Sequence, residues 1–194
     1  KINLCKREKN IMLVDYNVCI LNNSNKSFRL FIKDTLPAGK INQNLLSNYR
    51  MPVITIILKK SIVNKIKFKN NYEIIGDFDF FTKLILKGLF GPIQEPLAYY
   101  RIHEKNVSKT KIDLFIKEFN LWIDENKNLT LFKKYNLKGV FLQIQMLKIK
   151  KYLLKNSKIQ VIKEIFKRPI NFKKLKFLAT LIFPKFIVKK FFYF

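Results

Sequence analysis

The first 110 residues alternate apolar runs with turn-forming segments. Residues 11–21 (IMLVDYNVCIL) form an apolar run that is interrupted at Asp15 and Asn17, and the turn-forming residues NNSN follow it. This pattern predicts a strand and a loop. Residues 53–58 (VITIIL) carry no charge and are rich in β-branched side chains, which predicts a buried strand.

A helix and a final strand follow in the sequence. The segment GDFD at residues 76–79 opens a pattern of helical spacing that ends at Gly88, formed by Phe80, Phe81, Leu84 and Ile85. Acidic side chains in a first turn suit the helix dipole. Gly91 and Pro92 predict a turn, and residues 97–102 (LAYYRI) predict a strand that runs into His103. We therefore expect mixed α/β structure in residues 1–110.

Beyond Thr110 the pattern is helical only. Apolar residues keep the three-and-four spacing of an amphipathic helix over residues 112–123, and Thr110 with Asp113 predicts a capping box at its start. Three further helices are predicted at residues 140–154, 157–166 and 171–183. The sequence thus predicts two parts, an α/β domain at residues 1–110 and a helical extension at residues 111–194.

Charge supports this division. The chain has 39 Lys and Arg against 13 Asp and Glu, a formal net charge of +26, and residues 111–194 carry only 5 of the acids. With 48% hydrophobic residues, the chain is too apolar for a disordered basic tail. No apolar run is long enough to span a membrane, and no secretion signal is visible. The two cysteines match no disulfide or zinc pattern, which favours a reducing, cytoplasmic compartment.

Three side chains of the first part could carry chemistry. Asp77 is either a helix cap, which composition alone favours, or a carboxylate that points into a cleft. Asp77 and Asp79 together have the DxD spacing of a cation site, which is a weak signal on its own. His103 is the only histidine, and a lone histidine is more often a solvated or core residue than a ligand.

The order of these segments resembles the second half of a GT-A-fold family 2 glycosyltransferase. The segment GDFD at residues 76–79 matches an acidic motif of that family, and EPLAYYRIHEKNVS at residues 95–108 matches its long phrase EPLxxYRxHxxNxS. LPAG at residues 36–39 and the apolar run before Lys59 look like two further family segments. The resemblance implies a partial GT-A, Rossmann-like domain over residues 10–110, followed by the all-α basic tail.

Two departures from the family pattern shape this expectation. Gly76 stands where most members have Glu. The βαβ units that bind the nucleotide, and the DxD that ends them, have no counterpart before residue 10. We therefore expect the C-terminal portion of a glycosyltransferase, inactive on its own and with exposed apolar surface on residues 53–58 and 97–102.

The resemblance also implies a mechanism and site residues. Asp77 matches the general base that takes the acceptor hydroxyl's proton in an inverting transfer. His103 matches a ligand of the divalent metal, Mn²⁺ or Mg²⁺, that neutralises the diphosphate leaving group. Four residues would contact phosphate or acceptor groups, namely Asp79, Arg101, Asn106 and Ser108. An ion pair of Arg101 with Glu95 or Asp79 is the competing, structural interpretation.

The basic tail has three interpretations. The high pI favours nucleic acid, but no named nucleic-acid motif is present and Arg is nearly absent from the tail, so none is expected as partner. Lys beside Phe, Leu and Ile favours an anionic membrane surface, which we place at the inner face of the cell membrane. The third interpretation is a Lys-rich helical bundle that reflects biased base composition.

The function expected is transfer of a sugar from a nucleotide-sugar donor to a saccharide or lipid-linked acceptor in surface-polysaccharide or lipopolysaccharide assembly. The alternative is a non-enzymatic basic protein that binds nucleic acid or membrane.

Overall fold

The computed structural model describes residues 11–22, 27–63, 66–103 and 106–167. Within them the chain is mixed α/β, with a small open sheet of parallel and antiparallel strands and a series of helices. The α/β class predicted from the sequence is therefore confirmed at this level.

The sheet is built around one long strand, β1 (Ile11–Asn22). β4 (Leu89–Ile102) runs parallel to β1 along its whole length. β2 (Ser27–Leu30) and β3 (Ile57–Leu58) are antiparallel to β1 and pair with opposite ends of it. Since β4 occupies one edge of β1, β2 and β3 share the other.

The strands predicted at residues 11–21 and 97–102 are confirmed, but the turn predicted at Gly91 and Pro92 is wrong. Both residues lie inside β4, which begins at Leu89. Proline cannot donate a ladder hydrogen bond and is tolerated where one edge of a strand is open. In the described part of the chain β4 pairs only with β1 and, at Phe90, with an isolated bridge to Gly39.

The buried strand predicted at residues 53–58 is largely wrong. Val53–Thr55 forms a 3₁₀ turn, and only Ile57–Leu58 is extended in the sheet. The Thr55 hydroxyl donates to the carbonyl of Pro52 at 2.5 Å, and its backbone N–H donates to the same oxygen at 3.0 Å. Such local bonds compete with sheet pairing. Val53 is 53% exposed, so the predicted exposure of apolar surface in this segment is confirmed.

Helices make up the rest of the described chain. They are α1 (Asn42–Ser47), α2 (Lys60–Val63), α3 (Gly76–Ile85), α4 (Val107–Thr110), α5 (Ile112–Asn126), α6 (Thr130–Lys134), α7 (Lys138–Leu154) and α8 (Lys158–Phe166). The helices predicted from the GDFD segment, over residues 112–123 and over residues 140–154 and 157–166 are confirmed. The helix predicted at residues 171–183 lies outside the described residues.

The capping box predicted from Thr110 and Asp113 is wrong. The residue that precedes α5 is Lys111, and no side chain caps the helix there. Thr110 already ends α4, and its hydroxyl donates back to the carbonyl of Val107 at 3.5 Å. The hydroxyl is therefore directed to the preceding turn rather than to the start of α5.

The α/β part has one main hydrophobic core. α3 packs with α1 and with the start of β4. The buried members of the core are Ile41, Leu45, Met51, Ile66, Phe80, Phe81, Leu84, Ile85 and Phe90. Four of these nine residues come from α3, and a fifth, Phe90, comes from the start of β4. The core thus fixes the helix that carries Asp77.

The chain divides into two compact units, Lys1–Phe141 and Leu142–Phe194. The sequence placed the boundary near Thr110, whereas the observed division follows Phe141. The second unit has its own small core of Ile149, Val161 and Ile165. In the described residues no helix is both long and apolar enough to cross a membrane.

Candidate functional site

The turn that leads into α3 is held by a buried carboxylate of α5. Glu118, only 2% exposed, accepts hydrogen bonds from the backbone N–H groups of three successive residues, Glu73 at 2.8 Å, Ile74 at 2.9 Å and Ile75 at 3.0 Å. A carboxylate that accepts several backbone N–H groups makes strong, charge-assisted bonds. Glu118 therefore fixes the backbone immediately before the GDFD segment.

Glu125, two turns further along α5, holds the preceding stretch of the same loop. Its carboxylate accepts hydrogen bonds from the Lys69 ammonium at 2.6 Å, the Asn71 amide at 2.8 Å and the Tyr72 hydroxyl at 2.7 Å. The bond from Lys69, followed by that from Tyr72, lowers the pKa of Glu125. Burial, followed by the bond to Glu125, raises the pKa of Tyr72. Two acids of one helix face thus hold the loop at both its ends.

Asp79 belongs to the same framework. Its side chain is fully buried, and its carboxylate accepts a hydrogen bond from the Trp122 indole at 2.9 Å and forms an ion pair with Lys83 one turn along α3. Trp122 lies between Glu118 and Glu125 on α5 and packs edge-on against Phe78, with ring centroids 4.9 Å apart. These contacts give Asp79 a structural role, and its predicted contact with substrate stays a prediction.

Asp77 has a different environment from Asp79, although the two are separated by one residue. It is half-buried in the first turn of α3, and one oxygen accepts the N–H of Phe78 at 2.7 Å. Burial raises the pKa of Asp77, although the neighbouring Tyr49 hydroxyl and the N–H of Phe78 oppose the rise. A carboxylate with a raised pKa is a stronger base than one in water, which is the property that proton abstraction requires.

Tyr49 is the polar neighbour of Asp77. Its ring stands edge-on to Phe78, with centroids 5.3 Å apart. Burial raises the pKa of Tyr49, and the negative charges of Asp77 and Asp15 raise it further. The hydroxyl oxygen is buried and makes no hydrogen bond of good geometry within the described residues. Asp77 is therefore an acceptor toward which the O–H group can turn.

The histidine phrase lies at the end of β4. Arg101 and His103 are both exposed, and the backbone N–H of His103 donates to the side-chain oxygen of Asn106 at 2.5 Å. The Asn106 amide donates in turn to the carbonyl of Arg101 at 3.4 Å. Asn106 thus closes the turn after the strand and brings Arg101 and His103 to one strand end. Ser108 lies in α4, and its side chain is outside the described part of the chain.

Two expectations about this phrase can be compared with the geometry. Asp79, one of the two partners in the competing interpretation of Arg101, forms an ion pair with Lys83. In the described residues no group of three or more His, Cys, Asp or Glu side chains converges on one point. The role of His103 as a metal ligand stays a prediction.

The loop that resembles LPxG is fastened to β4. The Gln94 side chain accepts the N–H of Leu36 at 2.8 Å and donates to the carbonyl of Leu36 at 3.1 Å. Gly39 exchanges two backbone hydrogen bonds of 2.9 Å with Phe90. Gly39 has a φ of +80°, a conformation that suits glycine. Residues 36–39 are thus tied to β4, which ends at Ile102, directly before His103.

Sequence reasoning missed the residues that support the site, which are Tyr49, Glu118, Trp122 and Glu125. Glu118, Trp122 and Glu125 follow one another at helical spacing of four and three, so they share one face of α5. Acids are scarce in this part of the chain, and two on one helix face beside the only tryptophan were an available signal. No corresponding signal marked Tyr49.

No protein-family model matches this chain, and no curated protein matches it.

Proposed function

We propose that this chain is the acceptor-side portion of an inverting, family 2-like glycosyltransferase. The observation that carries the proposal is Asp77. It is a half-buried carboxylate with a raised pKa, and it lies at the start of α3. The other acid of this helix, Asp79, accepts a hydrogen bond from Trp122 and forms an ion pair with Lys83. The resemblance of residues 76–79 and 95–108 to the family motifs supports the same assignment.

In the proposed reaction Asp77 accepts the proton of an acceptor hydroxyl as that oxygen attacks the anomeric carbon of the donor sugar. The sugar–phosphate bond breaks on the opposite face, so the configuration inverts. The rigid support of residues 69–75 by α5 would keep the carboxylate in place, because a misplaced base loses much of its effect. Exposed Arg101 at the end of β4 is the proposed contact for phosphate or acceptor groups, with Asn106 holding that turn.

The donor would be a nucleotide sugar and the acceptor a saccharide or lipid-linked saccharide of surface-polysaccharide or lipopolysaccharide assembly. A divalent cation, Mn²⁺ or Mg²⁺, remains part of the proposal, with His103 as one ligand. Its chemistry when bound would be to neutralise the diphosphate leaving group. We assign the described residues no step that involves the metal.

The test is a transfer assay on the longest native polypeptide that contains this chain, with a panel of nucleotide sugars. Asp77→Asn should lower turnover by about 10²- to 10⁴-fold with little change in donor affinity, which is the usual effect of removing a general base. A variant within about threefold of the parent would exclude Asp77 as the base. Absence of transfer with every donor would favour the alternative, a non-enzymatic basic protein.

The alternative has its own support in the excess of positive charge. Apart from Glu164, residues 126–194 contain no acid, and they carry 18 Lys and Arg. A nucleic-acid ligand would bind through phosphate contacts and would show steep salt dependence. An oligonucleotide gel shift that persists in Asp77→Asn and disappears at raised salt would support this class of function over the enzyme.

A further inference from the structure

The last described helix, α8, has buried apolar side chains on one face and exposed apolar side chains on the adjoining face. Val161 and Ile165 are fully buried and belong to the small core of the second unit. On the outward side Ile159 is 71% exposed, Ile162 42% and Phe166 59%. Buried apolar residues account for the inward face, and the outward face requires another explanation because exposed apolar residues here are contiguous rather than scattered.

The outward side chains form a narrow stripe. At about 100° per residue, Ile159, Ile162 and Phe166 fall within about 60° of one another around the helix axis. Lys163 lies about 40° beyond one edge of this stripe, and Lys158 lies about 40° beyond the other. Both lysines are exposed. The stripe is therefore apolar along its centre and positively charged along both borders.

The only acid of α8 does not compensate these charges. Glu164 is 5% exposed, lies on the buried side of the helix and forms an ion pair with Lys167. Lys158 and Lys163 thus face solvent on a helix whose acid is directed elsewhere. A partner that complements this face has an apolar interior and negative charges at its surface.

We propose that the face of α8 formed by Ile159, Ile162 and Phe166 docks on an anionic lipid bilayer, with Lys158 and Lys163 at the headgroups. Lysine stems lie along apolar surface while the ammonium groups reach the polar boundary, which is the geometry of an interfacial helix. Each base near an anionic surface contributes to attraction, and the apolar side chains add contact that salt does not screen. This proposal does not depend on the catalytic one.

Two other occupants fit less well. A second copy would present the same face in a symmetric contact, so the lysine borders of the two copies would repel one another. Nucleic acid would neutralise the lysines, but Ile159 and Ile162 have no ring on which a base could stack. An anionic bilayer satisfies both the charge and the apolar stripe.

The experiment is co-sedimentation of the full chain with vesicles of phosphatidylcholine alone or of equal parts phosphatidylcholine and phosphatidylglycerol. Binding is measured at about 0.1 M salt, where the screening length is about 10 Å, and again at a salt concentration several times higher. The parent chain should bind the anionic vesicles. Ile159→Ser combined with Ile162→Ser should weaken binding about tenfold or more at both salt concentrations, because it removes apolar contact. Lys158→Gln combined with Lys163→Gln should weaken binding mainly at low salt.

The matched control is Val53→Ser, which removes an apolar side chain of similar exposure, 53%, from the first unit. It should bind as the parent does. Circular dichroism establishes that each variant is folded, and Phe166→Trp gives a second measurement. The fluorescence emission of the Phe166→Trp variant should shift to the blue on contact with anionic vesicles. The emission of Trp122 should stay constant, because Trp122 is already fully buried.

Several results would overturn the proposal. One is absence of binding to anionic vesicles by the parent chain, and another is unchanged binding by the isoleucine double variant. A third is self-association of the parent chain without lipid that the isoleucine double variant abolishes, while the same variant binds vesicles as the parent does. If the chain bound an oligonucleotide as tightly as it binds vesicles, and the isoleucine double variant bound that oligonucleotide equally well, the lysines would be assigned to nucleic acid instead.

Discussion

Two aspartates of one helical turn illustrate how position decides the role of a carboxylate. Asp79 is fully buried, yet its charge is balanced by Lys83 and its oxygens accept hydrogen bonds from Lys83 and Trp122. Asp77 is half-buried, and burial raises its pKa because the hydrogen bonds it accepts do not offset desolvation. Asp79 therefore contributes to stability, whereas the charged form of Asp77 reduces it. Residues that reduce stability are frequent at functional sites.

We expect Asp77→Asn to increase the free energy of unfolding at neutral pH. An Asp whose folded pKa is raised keeps its proton to higher pH than in the unfolded chain, so stability falls as pH rises from about 3.9, the unfolded value, through the folded pKa. Asn removes that penalty. Urea unfolding at neutral pH should show the gain, and below the unfolded pKa, where Asp77 is protonated in both states, the difference should disappear.

Asp79→Asn is the matched comparison, two residues away on the same helix. It should lower the unfolding free energy at neutral pH by about 2–4 kcal/mol, because it breaks a buried ion pair and leaves Lys83 without its partner. If both variants changed stability in the same direction, the contrast drawn between the two carboxylates would be wrong.

Tyr49→Phe tests the link between the buried hydroxyl and Asp77. The tyrosine lowers the pKa of Asp77, so its removal should raise that pKa further. The measurement is a carboxyl-carbon NMR titration of Asp77. Tyr72→Phe is the control. Tyr72 donates to Glu125 and lowers its pKa, so the substitution should raise the pKa of Glu125 and leave that of Asp77 unchanged. An unchanged Asp77 titration in Tyr49→Phe would exclude the link.

At the scale of elements, the best predicted segments were those with sustained periodicity. β1, α3 and α5 were visible because their apolar residues repeat at strand or helix spacing. Residues 53–58 were predicted as a strand from β-branched content, but the hydroxyl of Thr55 and the carbonyl of Pro52 close a 3₁₀ turn there. β-propensity describes suitability for a half-buried sheet, and local hydrogen bonds can override it.

The candidate site was predictable only in part, for a related reason. Asp77, Arg101 and His103 were identified from sequence phrases. Glu118 was missed because an acid on a helix ordinarily faces solvent, and its partners are backbone N–H groups, which have no side-chain signature. The pairing of α5 with residues 69–79 is a long-range contact, so no local pattern encodes it.

Glu118 gives the element-scale prediction. Glu118→Ala should lower the unfolding free energy by about 3 kcal/mol or more, because three backbone N–H groups lose their acceptor and each unsatisfied buried group costs about 1–3 kcal/mol. Glu118→Gln retains one acceptor oxygen and should cost less than Glu118→Ala. Urea unfolding measures both. Lys117→Ala, a substitution of the adjacent exposed residue of α5, should be nearly neutral.

At the scale of the whole molecule, several acids of the described chain are buried, although more of them are exposed, namely Asp34, Glu73, Glu95, Asp113, Asp124 and Glu125. Glu118 and Asp79 are buried in the first unit, and Glu164 is buried in the second. These carboxylates hold backbone or lysine groups and contribute little to the outer surface. The formal net charge of +26 comes from the excess of lysine and arginine over acids, and such a charge favours anionic partners.

The boundary of the first unit provides the last prediction. The sequence divided the chain near Thr110, whereas the observed unit extends to Phe141 and includes all of α5. A chain that ends at Phe141 should unfold cooperatively in urea. A chain that ends at Thr110 should not, because it lacks Glu118, Trp122 and Glu125, which together hold the loop before α3 and cover Phe78.

Far-UV circular dichroism during urea unfolding distinguishes the two chains. Loss of three bonds to Glu118 alone costs about 3 kcal/mol or more, and loss of the Trp122 packing adds to this. That sum is a large fraction of the 5–15 kcal/mol typical of a small domain. The first-unit chain with Glu118→Ala should lie between the two in stability. Equal, cooperative unfolding of both chains would show that α5 is an extension, as the sequence pattern suggested, rather than part of the domain that carries Asp77.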